Sequence, residues 1–272
     1  MSKNNKTVKV AVAGANGRMG LELLQECIAN NRLDVSEALV RPSSRLLGKN
    51  ISELLTEQEL NLTFSSQSEA LKPETRVLID FTLPDNTLIN IQTCVDNNRA
   101  IVIGTTGFSP EQQQSIVEAS SHIAILQASN MSVGVNLTLA LLKQASSVLG
   151  TDVKVEILET HHIHKKDSPS GTAVTMGEVI ANSNNKSLQD CMVIDDSQSL
   201  STDVGSIKFS SIREGEVIGD HQVSFIMNDE VIEISHRAID RKVFAKGAAR
   251  AAIWLFGKAP GLYAMDDVLG LK

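Results

Sequence analysis

The feature that most constrains the fold of this chain lies near its start, where an alternating apolar strand runs into a glycine-rich turn. Residues 8–20 read V-K-V-A-V-A-G-A-N-G-R-M-G, and a helical pattern follows directly. Gly14 permits a sharp turn, Gly17 lets the backbone approach a pyrophosphate, and Gly20 lets the helix lie close to the sheet. N–H groups at the start of that helix favour an anion. The order of strand, turn and helix predicts a dinucleotide site, and a purely structural tight turn is the alternative.

The rest of the first half alternates between apolar strands and helical segments. Predicted strands cover residues 36–40, 75–81, 100–103 and 123–126, and predicted helices cover 17–29, the stretch near 87–97 and a segment that begins at 109. The start of the last helix is well marked, because Ser109 can cap it, Pro110 fits its first position and Gln112 completes a capping box. Such alternation predicts parallel strands with helices on both faces of the sheet.

The second half follows a different pattern. A long helix is predicted at 132–149, strands at 153–158, 207–212, 221–227 and 231–236, a helix at 170–181 and a polar loop at 182–187. This pattern is typical of an α+β domain on a mixed or antiparallel sheet. A last helix at 241–256 is expected to pack back on the first domain. We therefore predict an α/β chain in which residues 1–131 and 241–272 form a doubly wound parallel sheet, with an inserted α+β domain at 132–240.

Composition excludes several classes of partner. A formal net charge of -7 and a pI near 5.4 argue against nucleic acid or an anionic membrane as the main partner. Cys27, Cys94 and Cys191 are odd in number and too widely spaced for a C-x-x-C motif, so buried thiols in a reducing cytosol are expected. The first residues lack the apolar region of a signal peptide, and no apolar run approaches the ~20 residues of a membrane span. The sequence predicts a cytoplasmic protein.

The end of the second predicted strand bears on the identity of the dinucleotide. Chains that use NAD usually carry an acidic residue there for the ribose hydroxyls, whereas this chain has Val40 followed by Arg41. A guanidinium suits a 2'-phosphate, so NADPH is favoured, and Arg18 inside the turn is a second candidate for that contact. Two alternatives stay open. Both arginines are ordinary surface residues, or Glu37 reaches the ribose if the strand boundary lies a few residues away.

Two further loops follow predicted strands. Residues 104–107 read G-T-T-G, and residues 128–131 read A-S-N-M. Loops at the carboxyl ends of parallel strands line the ligand crevice of a doubly wound sheet. Both loops are therefore expected at the nicotinamide end of the cofactor, with a plain turn as the alternative for each.

The segment at 159–172 reads E-T-H-H-I-H-K-K-D-S-P-S-G-T and is the richest in groups that donate protons or hold anions. Its histidines admit three interpretations: a zinc site, a structural role at a strand end, or acid–base work on an anionic substrate. The nearby Lys165 and Lys166 would repel a metal ion, and no paired cysteines accompany them. A histidine that titrates near neutrality beside a lysine suits proton transfer. We favour the acid–base interpretation and expect no metal.

The same segment ends in a helix start. Ser170, Gly171 and Thr172 would supply backbone N–H groups and hydroxyls there, and the glycine allows close approach. Together with the neighbouring cations they predict a carboxylate-binding site. An acidic chain with a local cationic lining is suited to a small acidic substrate.

Five motifs together resemble one known family. They are G-A-N-G-R-M-G after the first strand, D-F-T at 80–82, G-T-T-G-F at 104–108, S-V-G-V-N at 132–136, and H-H-I-H-K-K-D-S-P-S-G-T-A at 161–173. This set resembles the 4-hydroxy-tetrahydrodipicolinate reductases, also called dihydrodipicolinate reductases, of bacterial diaminopimelate and lysine biosynthesis. The resemblance spans essentially the whole chain, and the last motif is highly specific.

The resemblance implies a Rossmann domain, an inserted substrate-binding domain whose open face assembles a homotetramer, and NADPH or NADH as hydride donor. It implies that His161 is the acid–base residue and Lys165 a second proton donor. It places the substrate on His162, Ser170, Gly171 and Thr172. With the arginine discussed above, the expected cofactor contacts are Gly14, Ala15, Asn16, Gly17, Arg18, Met19, Arg41, Gly104, Thr105, Thr106, Ala128, Ser129, Asn130 and Met131.

The implied reaction is the reduction of a cyclic conjugated imine dicarboxylate by hydride. The resulting enamine then receives a proton, with His161 and Lys165 as the candidate donors. The family often has an acidic residue at the position of Val40, and this departure favours NADPH over the use of both nucleotides. Two rivals remain. A reductase of another acid would share the first domain and differ in the histidine segment, and a redox sensor without turnover would have no use for that segment.

Overall fold

A computed structural model describes residues 7–55, 61–66, 71–194 and 203–271. The chain divides into two compact units, one formed by Met1–Ser132 with Lys242–Gly270 and one by Val133–Arg241. Residues 1–6, where a signal peptide would begin, lie outside the described ranges, as do 56–60, 67–70, 195–202 and 272 of the predicted domains. Among the helices of the described ranges, none has the length and apolar character needed to cross a bilayer.

The first unit is a parallel sheet with helices. Its strands are β1 (Val8–Ala13), β2 (Leu33–Val40), β3 (Phe64–Ser66), β4 (Val77–Asp80), β5 (Ala100–Ile103), β6 (Ala124–Gln127) and β12 (Gly261–Tyr263). Its helices are α1 (Arg18–Ala29), α2 (Pro84–Asp96), α3 (Pro110–Ala119), α7 (Lys242–Leu255) and α8 (Met265–Leu269), with a short 3-10 helix at Ile51–Glu53. In the described ranges the strand order is β12-β6-β5-β4-β1-β2-β3, and every pair is parallel.

Both faces of this sheet are buried, as the alternation of β1 shows. Val10 and Val12 belong to a core that includes residues of α1 and α7, whereas Ala11 and Ala13 belong to a second core with residues of α2 and α3. Because successive strand residues point to opposite faces, two cores require helices on both sides. The predicted doubly wound parallel sheet is confirmed. The predicted capping box of α3 is also present, since Ser109 and Gln112 exchange backbone and side-chain hydrogen bonds.

The second unit carries a mixed sheet. Its strands are β7 (Lys154–His161), β8 (Met192–Ile194), β9 (Ile207–Arg213), β10 (Gly219–Ile226) and β11 (Val231–Ala238), and its helices are α4 (Val133–Leu149), α5 (Gly171–Ser183) and α6 (Leu188–Cys191). In the described ranges the strand order is β11-β10-β7-β9-β8. The central strand β7 is antiparallel to β10 and parallel to β9. One face forms a core with α4 and α5, so the predicted α+β architecture is confirmed.

The main differences from the predicted elements concern strand ends. β2 starts at Leu33, three residues before the predicted start, and β10 starts at Gly219, two residues early. β7 continues to His161, three residues beyond its predicted end, so the histidine segment begins as a strand. Helix α5 extends to Ser183 into the predicted loop. The three-residue strands β3, β8 and β12 were not predicted, since so short a run carries no periodic signal.

Candidate active site

The predicted cofactor residues of the first unit lie at one edge of its sheet. Parallel strands place their carboxyl ends together, so the loops after β1, β2, β5 and β6 share that edge. Backbone hydrogen bonds tie these loops to neighbouring strands: the Ala15 N–H donates to the Leu39 carbonyl at 3.0 Å, and the Ala128 N–H donates to the Ile103 carbonyl at 3.1 Å. Between β1 and β4 the strand order reverses, which opens a crevice at this edge.

The glycine turn fits the close approach of a pyrophosphate. Gly14 has φ +65°, a conformation that side chains disfavour. A Cβ at Gly17 would lie 3.2 Å from the Gly14 carbonyl oxygen, and one at Gly20 would lie 2.1 Å from it. Helix α1 therefore starts against the turn itself, and side chains at these positions would push the two apart. The cradle is compatible with a bound dinucleotide.

The end of β2 presents no carboxylate. Val40 is buried and Arg41 is exposed, and Arg18 is exposed at the first position of α1. Glu37 lies inside β2 and is 4% exposed. Its carboxylate accepts hydrogen bonds from the Thr75 hydroxyl and, at 3.1 Å, from the Lys72 N–H. Because this side chain is engaged within the unit, the alternative of Glu37 as a ribose ligand is not supported.

Residues 80–82, which contributed to the family resemblance without an assigned role, shape the same edge. Asp80 is fully buried at the end of β4, and its carboxylate accepts from the Thr82 N–H at 2.8 Å and from the Asn90 amide at 3.0 Å. The Thr82 N–H also reaches the Thr105 hydroxyl at 3.0 Å. The ring of Phe81 lies so close to Gly104 that a Cβ there would be 2.3 Å from it. These contacts fix the 104–106 loop.

In the second unit, the end of β7 holds a buried histidine and carboxylate. His161 is 7% exposed, and its Nδ1 contacts Glu159 Oε2. The other oxygen, Oε1, accepts from the Ser170 N–H at 3.1 Å and from Arg213 Nη2 at 3.0 Å. Burial raises the pKa of Glu159, but hydrogen bonds from His161, Ser211 and Arg213 outweigh it and lower the pKa to about 2. The carboxylate is therefore anionic at neutral pH.

A second buried histidine lies on the neighbouring strand. The rings of His221 on β10 and His161 are in edge-to-face contact, with centroids 5.1 Å apart. His221 Nε2 lies 3.2 Å from the Ser170 hydroxyl, and that hydroxyl caps α5 by accepting from the Ala173 N–H. Burial, and then the charge of His161, lower the pKa of His221 to about 4. His221 is thus neutral at physiological pH and supports the residue that begins α5.

The predicted substrate residues surround the same helix start. Gly171 is exposed as the first residue of α5, and a Cβ there would meet nothing within 4 Å. Thr172 follows at the second position, half-buried. The Lys165 ammonium pairs with Asp167 at 2.8 Å and is 21% exposed. Burial and the charge of Arg241 lower the pKa of His162, which favours the neutral ring at neutral pH.

His164 has a different environment. Its ring is exposed and lies 3.9 Å from the exposed Glu216. The structure therefore separates the three histidines into a buried one, a half-buried one and a solvent-facing one. Four residues of this cluster had no role predicted from the sequence. Glu159 belongs to the histidine segment but was not singled out, and Arg213, His221 and Arg241 come from segments far along the chain.

The buried cluster resembles a metal site in its residue types but not in its charges. Within the described residues, Glu159, His161 and His221 offer ligand atoms that lie within 4.8 Å of one another. The Glu159 carboxylate is already bonded to the Arg213 guanidinium, and the charge of Lys165 also acts on His221. A divalent cation would meet two positive groups and a carboxylate with both oxygens engaged. The donor set fits a proton-holding network better than a metal centre.

A doubly wound parallel sheet with a glycine-rich turn, joined to a second unit on a mixed sheet, is the architecture of the two-domain dinucleotide-dependent reductases. Two family models match the chain, "Dihydrodipicolinate reductase, N-terminus" over residues 8–131 and "Dihydrodipicolinate reductase, C-terminus" over residues 134–269. The 4-hydroxy-tetrahydrodipicolinate reductase of Methylococcus capsulatus is 44% identical over 266 residues, which are 97% of this chain and 99% of the relative. The chain belongs to the dihydrodipicolinate reductase family, NAD(P)H-dependent enzymes of lysine and diaminopimelate biosynthesis.

Solved structures share the fold. A dipicolinate-bound dihydrodipicolinate reductase from Paenisporosarcina sp. TG-14 superimposes with a TM-score of 0.75 at 23% identity, covering 95% of this chain and 97% of that one. A probable dehydrogenase from Thermotoga maritima reaches 0.61 at 9% identity, with coverages of 97% and 93%. At these identities the likeness concerns architecture alone.

The buried neutral state of His221 predicts a pH dependence of stability. Its pKa falls from 6.5 to about 4 on folding, so the unfolded chain binds a proton that the folded chain does not between these values. The contribution is complete above pH 6.5 and is lost as the pH falls through 4, and it amounts to roughly 3 kcal/mol at about 1.4 kcal/mol per unit. The free energy of unfolding, measured with urea, should therefore fall less between pH 7 and pH 4 in His221→Gln than in the parent.

His164→Gln is the matched control, because that ring is solvent-exposed. It should leave the pH dependence of the parent unchanged. If His221→Gln and the parent lose equal stability between pH 7 and pH 4, the buried neutral assignment is wrong.

Proposed function

We propose that this chain catalyses the NAD(P)H-dependent reduction of 4-hydroxy-tetrahydrodipicolinate to tetrahydrodipicolinate in diaminopimelate and lysine biosynthesis. The observation that carries the proposal is full-length membership of the dihydrodipicolinate reductase family. The buried Glu159–His161 pair and Lys165 offer groups for proton transfer, and the nearby helix start offers an anion-binding site. Such a substrate needs both. In this proposal the first unit binds the dinucleotide, and the second binds the substrate and mediates oligomerisation.

The substrate determines what the residues must do. Loss of water from the 4-hydroxy compound gives a cyclic conjugated imine dicarboxylate, which carries two negative charges and an electron-poor ring carbon. When bound, NADPH or NADH supplies the hydride. The resulting enamine must then gain a proton, which a positioned acid provides faster than water. The reaction therefore calls for anion-binding groups next to a proton donor, and for no metal.

His161 and Lys165 are the proposed proton donors. Contact with Glu159 orients the His161 ring, and an ion pair with Asp167 positions the Lys165 ammonium group. An imidazole exchanges protons near neutral pH, and an ammonium group supplies both charge and a proton. His161 is assigned as the acid–base residue and Lys165 as the second donor.

The proposed carboxylate site is the start of α5. Helix N-termini bind anions through backbone N–H groups and the macrodipole. Gly171 keeps this start open, and Thr172 adds a hydroxyl. Ser170 contributes through the cap that orders the first turn, and His162, whose lowered pKa favours a neutral ring, would donate a hydrogen bond to the substrate. The other proposed contacts, fourteen residues of the first unit named above, hold the dinucleotide.

Two rival functions predict different outcomes in one assay. A reductase of a different acid would oxidise NADPH with another substrate and not with the cyclic imine. A redox sensor would bind the dinucleotide without turnover. Purified protein should oxidise NADPH when the cyclic imine is supplied, with or without prolonged chelation. Absence of turnover with this substrate would refute the proposed function.

A proton donor and a carboxylate anchor should fail differently when removed. His161→Ala or Lys165→Ala should lower kcat by roughly 10²–10⁴-fold, the contribution of a positioned general acid, with NADPH affinity little changed. Thr172→Val should mainly raise KM, since the hydroxyl holds substrate alike in ground and transition states. Steady-state kinetics with the cyclic imine measures both effects.

Lys166→Ala is the matched control, because this exposed lysine is adjacent in sequence and carries the same charge. It should leave kcat near that of the parent. Near-normal kcat in both His161→Ala and Lys165→Ala, together with early melting, would make the segment structural.

We propose further that NADPH is preferred over NADH. Val40 offers no acceptor for ribose hydroxyls, Glu37 is engaged with Thr75 and Lys72, and the exposed Arg41 suits a 2'-phosphate. Arg18 is the second candidate for the phosphate. NADH remains a possible donor, because the nicotinamide ends of the two nucleotides are identical.

Arg41→Ala should weaken NADPH binding far more than NADH binding, as measured by titration of each reduced nucleotide. The guanidinium pairs with a phosphate that only NADPH carries. Arg45→Ala is a control for charge, since this arginine follows in the same loop. Equal or tighter binding of NADH by the parent would contradict the proposed preference.

The second unit is the proposed site of homotetramer assembly. Leu158 on β7 and Ile212 on β9 are 36% and 41% exposed, on the sheet face opposite to the core residues Val155 and Ile157. Exposed apolar residues on one sheet face favour burial against further copies of the same chain. The expected species has about four times the chain mass of 29.3 kDa.

Leu158→Glu should lower the mass in solution, because it places a charge on the proposed contact face. Multi-angle light scattering after size exclusion measures the change. Val148→Glu, on the exposed side of α4, should not alter the mass. A monomeric parent at micromolar concentration would refute the assembly.

We also propose a cytoplasmic location. Cys27, Cys94 and Cys191 are free and buried, as expected for thiols in a reducing compartment. Burial raises the pKa of Cys27 to about 12, which keeps that thiol protonated and unreactive. The net negative charge gives no reason to expect nucleic acid or an anionic membrane as a partner.

A further inference from the structure

We propose that Glu159 and Gly219 are positioning residues that set which nitrogen of His161 faces the reaction. Glu159 binds the Nδ1 side of the ring, and Gly219 leaves room for the Nε2 side. The functional nitrogen is therefore Nε2. This inference rests on the proposed function, because it assigns roles in the same proton transfer.

The strand geometry brings carboxylate and imidazole together. Glu159 and His161 are two residues apart on β7, so their side chains project from the same face. Both are buried, and Glu159 is 1% exposed. A buried carboxylate next to Nδ1 favours the tautomer in which Nδ1 carries the proton and donates it to the carboxylate.

The carboxylate itself is prevented from turning. Its Oε1 accepts from the Ser170 N–H at 3.1 Å and from Arg213 Nη2 at 3.0 Å, which leaves Oε2 for His161. The same Arg213 nitrogen donates to the Asp167 carbonyl at 2.6 Å. The contacts of Ser170, Arg213 and Asp167 thus fix the orientation of the carboxylate. The carboxylate in turn fixes the orientation of the His161 ring.

The charged groups around His161 determine whether a protonated ring is favoured. Glu159 stays anionic, and the groups nearby from the other elements are Arg213 on β9, the neutral His221 on β10, and His162 and Lys165 in the following loop. The other acid of this cluster, Asp167, is paired with Lys165 at 2.8 Å, so Glu159 is the anion in direct contact with the ring. Removal of its charge disfavours a protonated imidazole.

Gly219 acts from the opposite side of the ring. A Cβ at this position would lie 3.0 Å from His161 Nε2 and 3.4 Å from its Cδ2. The backbone of Gly219 lies outside the left-handed region, so alanine is compatible with its dihedral angles. A contact this short requires the His161 ring or the backbone to shift by a few tenths of an ångström, and Glu159 resists a shift of the ring. The proposed role of the glycine is therefore to leave space, not to supply a special conformation.

The tautomer can be measured in the parent protein without any variant. Long-range proton–nitrogen NMR spectra of the chain labelled at its six histidines report which nitrogen carries the proton in the neutral ring. A His161→Gln spectrum identifies the signal. We expect the proton on Nδ1 and a bare Nε2. A proton on Nε2 with a bare Nδ1 would overturn the proposal, whatever the activity of the enzyme.

Kinetics of Glu159→Gln provide the second test. This change keeps the shape of the side chain and removes its charge. We expect kcat to fall by about 10- to 100-fold, the usual cost of removing the outer partner of a functional histidine. The pH at which kcat declines on the alkaline side should also move lower, because a proton donor without its anion loses the proton sooner. KM should change little.

Glu178→Gln is the matched control, an exposed glutamate on α5 in the same unit. It should leave kcat and the pH profile as in the parent. If Glu159→Gln keeps both, or lowers kcat with an unshifted profile, the carboxylate does not act through His161 and the proposal fails. An inactive parent would instead refute the proposed function, and the NMR result would still decide the tautomer.

Gly219→Ala tests the steric half. We expect a lower kcat with a normal alkaline limb, since Glu159 and its charge are retained. The ring contact of His161 with His221 should change in nuclear Overhauser spectra. Unchanged kcat and unchanged ring contacts would refute the assigned role of Gly219.

Discussion

A single buried carboxylate organises the second unit of this protein. Glu159 lies on the central strand β7, and its two oxygens join the adjacent β9 through Arg213, the start of α5 through the Ser170 N–H, and the end of its own strand through His161. A buried charge is costly unless it is hydrogen-bonded on all sides. Here the bonds that offset this cost also place His161 and the start of α5, the proposed acid–base residue and the proposed anion-binding site. In the proposed function, stability and proton transfer would depend on the same contacts.

The first unit follows a different rule, in which backbone topology does most of the positioning. Parallel pairing puts the ends of β1, β2, β4, β5 and β6 at one edge, so residues from five separate stretches meet without any special contact. Side chains then refine the loops. Asp80 binds the Thr82 N–H, Thr82 reaches Thr105, and the Phe81 ring closes on Gly104. The glycine positions are the ones where the backbone must come closest.

Much of this organisation is visible in the sequence, because apolar periodicity and turn chemistry are local properties. Local residues are enough to predict where the main strands lie along the chain, the cap at Ser109 and the turn at Gly14. The end of β7 does not. Its inward face continues from Val155 and Ile157 to Glu159 and His161, where apolar residues give way to polar ones.

That change looks like the end of a strand when only hydrophobicity is considered. The strand continues because its polar residues Glu159 and His161 have partners far along the chain, Arg213 at 54 positions and His221 at 60. The same limit applies to Glu37, whose exposure could not be judged before its contact with Thr75 was known. Local patterns locate elements, whereas buried polar residues are explained only by their distant partners.

The charge arrangement of the second unit follows from these pairings. Glu159 is balanced by Arg213, and Asp167 by Lys165, so neither acid leaves an uncompensated negative charge beside α5. The dipole of α5 then adds a local positive potential within a chain of net charge -7. An acidic surface with a local positive site attracts a small dianion to that site and disfavours larger polyanions elsewhere. In the proposed function, selectivity for the substrate class would come from pairing the local acids rather than from adding more bases.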